Sequence, residues 1–115
     1  MPYQGSCHCG AVAFTVTADL PAEVYECNCS ICRRKGLLLT FVPATAFTLD
    51  SGEASLGRYR FYKHRITHRF CTTCGTEPFA EGEQNGQPMR AVNIRCVPAA
   101  DLAAIPRKAV NGAAF

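Results

Sequence analysis

Seven of the eight cysteines in this chain fall into three tight groups. The first is Cys7-His8-Cys9-Gly10, the second Cys27-Asn28-Cys29-Ser30-Ile31-Cys32, the third Cys71-Thr72-Thr73-Cys74-Gly75; Cys96 stands apart. Sulfurs at these spacings converge. Two residues between Cys71 and Cys74 let a tight turn aim both at one ion, and Gly75 supplies the positive φ that other residues resist. Amides of such a turn donate to the thiolates and hold them in place. Cys7 and Cys9, two apart, point to the same side if the backbone between them is extended. Together Cys7, Cys9, Cys71 and Cys74 make a tetrahedral four-thiolate set, the usual closed structural site for zinc. Cys27, Cys29 and Cys32 leave a tetrahedral ion one ligand short, and an open position is what distinguishes a catalytic zinc from a structural one. These three are therefore the candidate catalytic group.

Competing chemistries fit parts of the pattern. Cys71-x-x-Cys74 is also a thioredoxin-type redox spacing, but it follows a strand pattern and precedes no clear helix. The middle three could serve an iron–sulfur cluster, which normally takes four cysteines, or be reactive thiols with no metal. Cys96 reads as a buried apolar residue sharing a strand face with Val92 and Ile94, and as a weaker candidate for a fourth ligand. His8, His64 and His68 read by default as packed or solvent-exposed side chains. Arg33-Arg34-Lys35 directly follows Cys32. A solvated basic turn is the ordinary reading; an anion attractor beside an open metal site is the sharper one, with Arg95 contributing from a neighbouring strand.

The elements that must position these groups are mostly strands. Val12, Phe14 and Val16 alternate with Ala11, Ala13 and Thr15 across Ala11–Thr17. Leu37–Val42 is an apolar run of strand length, and Leu56–Tyr62, Ile66–Phe70 and Met89–Val97 alternate. Asn85-Gly86 predicts a two-residue hairpin joining Pro78–Glu81 to Met89–Val97. A single helical turn is expected over Ile31–Lys35, capped by Ser30 and stopped at Gly36, and another short helix over Ala100–Ala104. The expectation is one mainly-β domain over residues 1–115, built of small antiparallel sheets with few short helical turns.

Composition narrows the setting. At 115 residues and 48% apolar the chain suits one domain with a modest core. No apolar run approaches the ~20 residues of a membrane span, and the start Met1-Pro2-Tyr3-Gln4-Gly5 shows neither a basic nor an apolar leader. A cytoplasmic, reducing setting follows as the expectation, and there dense cysteine points to metal or catalysis rather than disulfides. The formal charge of +3 falls to zero once seven thiolates and two divalent ions are included, which argues against nucleic acid as a partner.

The three cysteine motifs, with their flanks Gly5-Ser6-Cys7-His8-Cys9-Gly10-Ala11-Val12, Cys27–Arg34 and Phe70–Thr76, and the later Val92-Asn93-Ile94-Arg95-Cys96, closely resemble the glutathione-dependent formaldehyde-activating (GFA) family. The resemblance runs from Gly5 to about Gly112. It implies a β-tent-like fold around two zinc ions, with Cys7, Cys9, Cys71 and Cys74 matching the structural ligands and Cys27, Cys29 and Cys32 the catalytic ones. It implies a zinc-dependent carbon–sulfur lyase that joins glutathione to formaldehyde as S-hydroxymethylglutathione. The substrate thiol is then expected at the open zinc, its carboxylates held by Arg33, Arg34, Lys35 or Arg95. A zinc-stapled binding module without activity, and a redox sensor that ejects zinc on oxidation, are the alternatives.

Overall fold

The computed structural model describes residues 1–60 and 66–112. Among the described residues, ten strands form two sheets. The smaller has the order β1-β2-β5, from β1 (Tyr3–Ser6), β2 (Ala13–Val16) and β5 (Phe47–Ser51). The larger has seven strands: β3 (Val24–Cys27), β4 (Leu39–Pro43), β6 (Leu56–Tyr59), β7 (Thr67–Cys71), β8 (Phe79–Gln84), β9 (Gln87–Asn93) and β10 (Arg107–Val110). Its order is β10-β3-β4-β9-β8-β7-β6. All pairings are antiparallel except β10 on β3, which is parallel.

In β2 the alternation read from the sequence is the alternation of burial; in β7 it is not, since Thr67, His68 and Arg69 are buried in succession and Ile66 is exposed. Phe14 and Val16 turn inward from β2, Tyr3 from β1, and they meet Val24, Leu38, Val42, Val92, Ile94 and Val97 of the larger layer. Phe47 bridges the layers, stacked on Phe14 at 5.2 Å and tilted against Phe79 at 4.6 Å between ring centroids. The mainly-β expectation holds.

The hairpin forms as the Asn-Gly pair demands. Gln84 faces Gln87, and the two residues between them take positive φ, 53° at Asn85 and 79° at Gly86. That double positive φ is the signature of a type I′ turn.

Several expectations need correction. The strand read as Met89–Val97 ends at Asn93, and Ile94–Cys96 is a 3-10 turn. The cause is the Asn93 side chain, whose Oδ1 accepts from the Arg95 N–H and competes with the sheet ladder. Cys96 therefore shares no strand face with Val92. Residues 100–104 form a hydrogen-bonded turn anchored on the Asp101 carbonyl rather than a helix. Pro106 follows too soon for a helix to propagate. The part of the Leu56–Tyr62 reading beyond Arg60, and His64, lie outside the described residues.

Candidate functional site

The first and third cysteine motifs meet at one edge of the molecule. The Sγ atoms of Cys7, Cys9, Cys71 and Cys74 all lie within 4.8 Å of one another, with Cys7–Cys9 and Cys9–Cys71 both at 3.6 Å. Four sulfurs at ~2.3 Å from a tetrahedral zinc stand about 3.8 Å apart, so this spacing fits a zinc ion.

Both pairs sit in turns. Gly10 N–H donates to the Cys7 carbonyl at 3.2 Å, and Gly75 N–H to the Cys71 carbonyl at 2.8 Å; both glycines have φ near 80°, at 82° and 81°. Cys7-His8-Cys9 is thus a turn and not the extended segment expected. The bend lets the Val12 amide donate to Cys7 Sγ at 3.3 Å. His8 is exposed at its tip.

Amides and hydroxyls around this set favour thiolate. Bonds from the Thr76 hydroxyl and amide pull Cys74 down to about 5. The Cys74 amide likewise lowers Cys71. At Cys9 the Ala11 amide works in the same direction, but desolvation and the crowding of Cys7, Cys71 and Cys74 outweigh it, leaving Cys9 up at about 11. Mixed thiol and thiolate character is what four sulfurs crowded together adopt without a cation between them.

The middle motif forms a second cluster, again with all three Sγ atoms within 4.8 Å. Cys27 ends β3, Cys29 caps the short helix α1 (Ser30–Lys35), and Cys32 lies buried on its inner side. The sequence reading gave the cap to Ser30. Cys29 takes it because its Sγ accepts from the Cys32 N–H at 3.4 Å. Cys27 Sγ accepts in turn from the Cys29 N–H at 3.4 Å. Burial raises the Cys29 thiol, but the amide and thiol of Cys32 win, and the net shift is downward. Burial first, then the neighbouring sulfurs, drives Cys32 strongly upward. Leu37, Leu39, Ile31 and Ala91 pack around the three cysteines as an apolar collar.

The C-terminal strand closes one side of this cluster. Val110 pairs with Cys27, the Asn28 amide donates to the Val110 carbonyl at 3.1 Å, and Asn28 Nδ2 donates to Asn111 Oδ1 at 3.0 Å. Gly112 passes so close that a Cβ there would stand 2.3 Å from Cys27 Sγ.

The basic residues beside this cluster have different fates. Arg33 is exposed, and Arg34 is exposed with Nη1 on the Ser30 carbonyl at 2.9 Å. Arg95, exposed, donates Nε to the carbonyl of Gly36, the C-cap of α1, at 2.7 Å. Lys35 is exposed too, but its Nζ stands 2.7 Å from Oε1 of the buried Glu77. Cys96 is half-buried, outside both cysteine clusters, its Sγ directed at the Glu77 carbonyl. Glu26, beside Cys27, pairs with Arg107 at 3.5 Å. A groove of about 930 Å³ crosses the larger sheet, lined by Phe41, Ile66, Met89 and Ala91 among others; Ala91 also belongs to the collar of the second cluster.

Glu77 was not singled out from the sequence, and Asn93 only as part of the Val92–Cys96 motif. Glu77 is 4% exposed at the head of Pro78-Phe79-Ala80, and a carboxylate opening a buried apolar run three residues after a cysteine knuckle was the available signal.

A small two-layer β protein with a four-cysteine and a three-cysteine cluster, each able to hold a metal, is the class that fold and site define. Within it, the glutathione-dependent formaldehyde-activating enzyme family model matches residues 2–110, and the chain belongs to that family. A Halomonas elongata protein named "Putative glutathione-dependent formaldehyde-activating enzyme" is 53% identical over 34 residues, 30% of this chain. That match spans only 22% of the Halomonas protein's length. A crystal structure of a Rhodobacter sphaeroides protein superposes with a TM-score of 0.77 at 27% identity, covering 91% of this chain and 99% of the other. Among the described residues, no helix is long and apolar enough to cross a membrane.

Proposed function

We propose that this protein is a zinc-dependent carbon–sulfur lyase of the cytoplasm that joins a small-molecule thiol of the glutathione type to a small aldehyde such as formaldehyde. Cys7, Cys9, Cys71 and Cys74 hold one zinc as a structural staple, and Cys27, Cys29 and Cys32 hold the other. The observation that carries the reading is the count of three converging sulfurs in the second cluster, with no fourth cysteine among them. A zinc held by these three sulfurs would supply an open position able to take a substrate thiol as its thiolate.

The chain's own residues do the rest. With Cys27, Cys29 and Cys32 around it as thiolates, an ion there would be a weak Lewis acid, better suited to presenting sulfur than to polarising a carbonyl. The Cys29 amide donates to Cys27 Sγ and the Cys32 amide to Cys29 Sγ, which holds these two sulfurs in place. Arg33 and Arg34, on the exposed side of α1, with Arg95 at its end, receive the thiol's carboxylates. Lys35 is engaged elsewhere, its ammonium paired with the buried Glu77 carboxylate. The groove beginning at Ala91 offers space for the body of a tripeptide-sized thiol. In the reaction the thiol proton leaves, a C–S bond forms at the aldehyde carbon, and the carbonyl π pair becomes a lone pair on the oxygen that takes up a proton. Atoms and electrons balance without a redox partner.

Native mass spectrometry of the reduced protein, with and without glutathione, tests this. Two zincs and a glutathione adduct are expected, with adduct and second zinc both lost in Cys29→Ser. One zinc and no adduct would leave a zinc-stapled binding module. A redox-sensing role has its own signature: peroxide would release zinc in step with thiol oxidation.

A further inference from the structure

Lys35, Glu77 and His68 each stand three positions from a metal-site cysteine: Lys35 after Cys32, Glu77 after Cys74, His68 before Cys71. The structure gathers them. The Glu77 side chain, 1% exposed, takes Lys35 Nζ on Oε1 and His68 Nδ1 on Oε2, both at 2.7 Å. Its carbonyl accepts from Asn93 Nδ2 at 3.0 Å. Lys35 reaches this site over the Phe70 ring of β7, 5.4 Å from the centroid. A carboxylate so deeply buried is costly to desolvate, and a buried ion pair is weak evidence for stability. Its geometry is what asks for explanation.

Helix α1 supplies that explanation. Its six residues are too few to hold a helix in water unaided. It is held at its start by the Cys29 cap, and at its end by Arg95 on Gly36 and by Lys35 on Glu77. Of the two anchors at the end, only Lys35 engages a buried group. Where Cys32 stands relative to Cys27 and Cys29 therefore depends on where Glu77 stands. Glu77 in turn follows the Cys71–Cys74 knuckle, whose shape is closed by the Cys71 amide on the Thr76 carbonyl at 2.9 Å.

We infer that Glu77 is a positioning residue that couples the two cysteine clusters, so that a metal in the four-cysteine site strengthens metal binding at the three-cysteine site. The inference rests on the metal reading of the second cluster given above. The path is one contiguous chain of contacts: knuckle, Glu77, Lys35, α1, Cys32. Coupling of this kind is reciprocal and has the size of a few-fold to a hundred-fold change in affinity.

The test is a site-resolved metal titration of the full chain, with ¹¹³Cd NMR separating the two sulfur environments and Co²⁺ competition against a chelator giving affinities. The unaltered protein fills the four-cysteine site first. In Glu77→Gln and in Lys35→Met the three-cysteine site weakens about tenfold or more, the size usual for a partner behind a ligand. The four-cysteine site in the same samples shifts much less and serves as the internal control. Lys35→Arg, which keeps a cation for Glu77, restores most of the affinity. Lys35→Met keeps the His68–Glu77 pair, so it decides the matter if Glu77→Gln does not fold. Two bound metals with unchanged second-site affinity in Lys35→Met would overturn the coupling alone. A single bound metal in the unaltered protein would overturn both the coupling and the two-metal reading.

Discussion

Cys29 has two placements on one sulfur: it caps α1 by accepting from the Cys32 amide, and it stands in the three-sulfur cluster that could hold a metal. Cys96 has neither. Burial first, then the negative charges of Cys7, Cys74 and Glu77, push its thiol from 9.0 up to about 11. The folded protein therefore favours the neutral thiol. That preference contributes stability in full below the unfolded value near 9 and is lost as pH rises through about 11. Because the thiolate is the nucleophile, Cys96 in zinc-loaded protein should resist iodoacetamide at pH 8 and become reactive only in strongly alkaline buffer. Peptide mapping by mass spectrometry, with Cys96→Ala as the blank, reads this directly. Alkylation at pH 8 at the rate of a free thiol would show that the site is neither buried nor negatively surrounded.

At the scale of elements, the C-terminal strand is the least expected part of the site. β10 docks parallel on β3 and brings Gly112 against Cys27. A methyl group there meets sulfur at 2.3 Å, so either the strand end or Cys27 must move. Gly112→Ala should cost on the order of 1–3 kcal/mol, the range of overpacking. More tellingly, it should lower metal content at the second cluster while leaving the four-cysteine site full. Zinc counted per protein by native mass spectrometry checks it: two zincs retained with an unchanged melting temperature would mean the segment yields freely.

None of this was readable from residue order, because Arg107-Lys108-Ala109-Val110 is mostly exposed and has no inward alternation to betray a strand. β3 and β5 were missed for a related reason: each is short and half-covered. β2, β4 and β9 were legible because one face of each meets the core, and the β8–β9 hairpin because Asn-Gly dictates its turn. The cysteine clusters were legible because ligand spacing is local. The Glu77 network was not, because it joins three distant stretches through side chains alone.

For the molecule as a whole, the four-cysteine cluster is placed where a bound metal would act as a clasp. Cys9 and Cys71 lie 62 positions apart, yet their sulfurs are 3.6 Å from each other. The loop they close contains β2 through β6, α1 and the whole of the second cluster. Around the clasp itself little apolar material is buried: Val12 with Cys7 and Cys71, flanked by Ala11, Leu49, Leu56 and Cys74. Hydrophobic packing is thus thin where the loop ends meet, and the main core lies elsewhere between the two sheets. A structural zinc contributes roughly 10–16 kcal/mol of apparent folding free energy at neutral pH, more than the ~5–15 kcal/mol net stability of a typical domain. Chelation should therefore unfold the chain cooperatively rather than loosen one edge. The two sites should also part on the way. Zinc at the three-cysteine site leaves first, with circular dichroism almost unchanged; loss of the second ion then coincides with collapse of the β signal. Following zinc release with a metallochromic dye against circular dichroism, in rising chelator, separates the steps. If β structure survived removal of both ions, the core between the sheets would be sufficient by itself, and the four-cysteine cluster would need a role other than holding the fold.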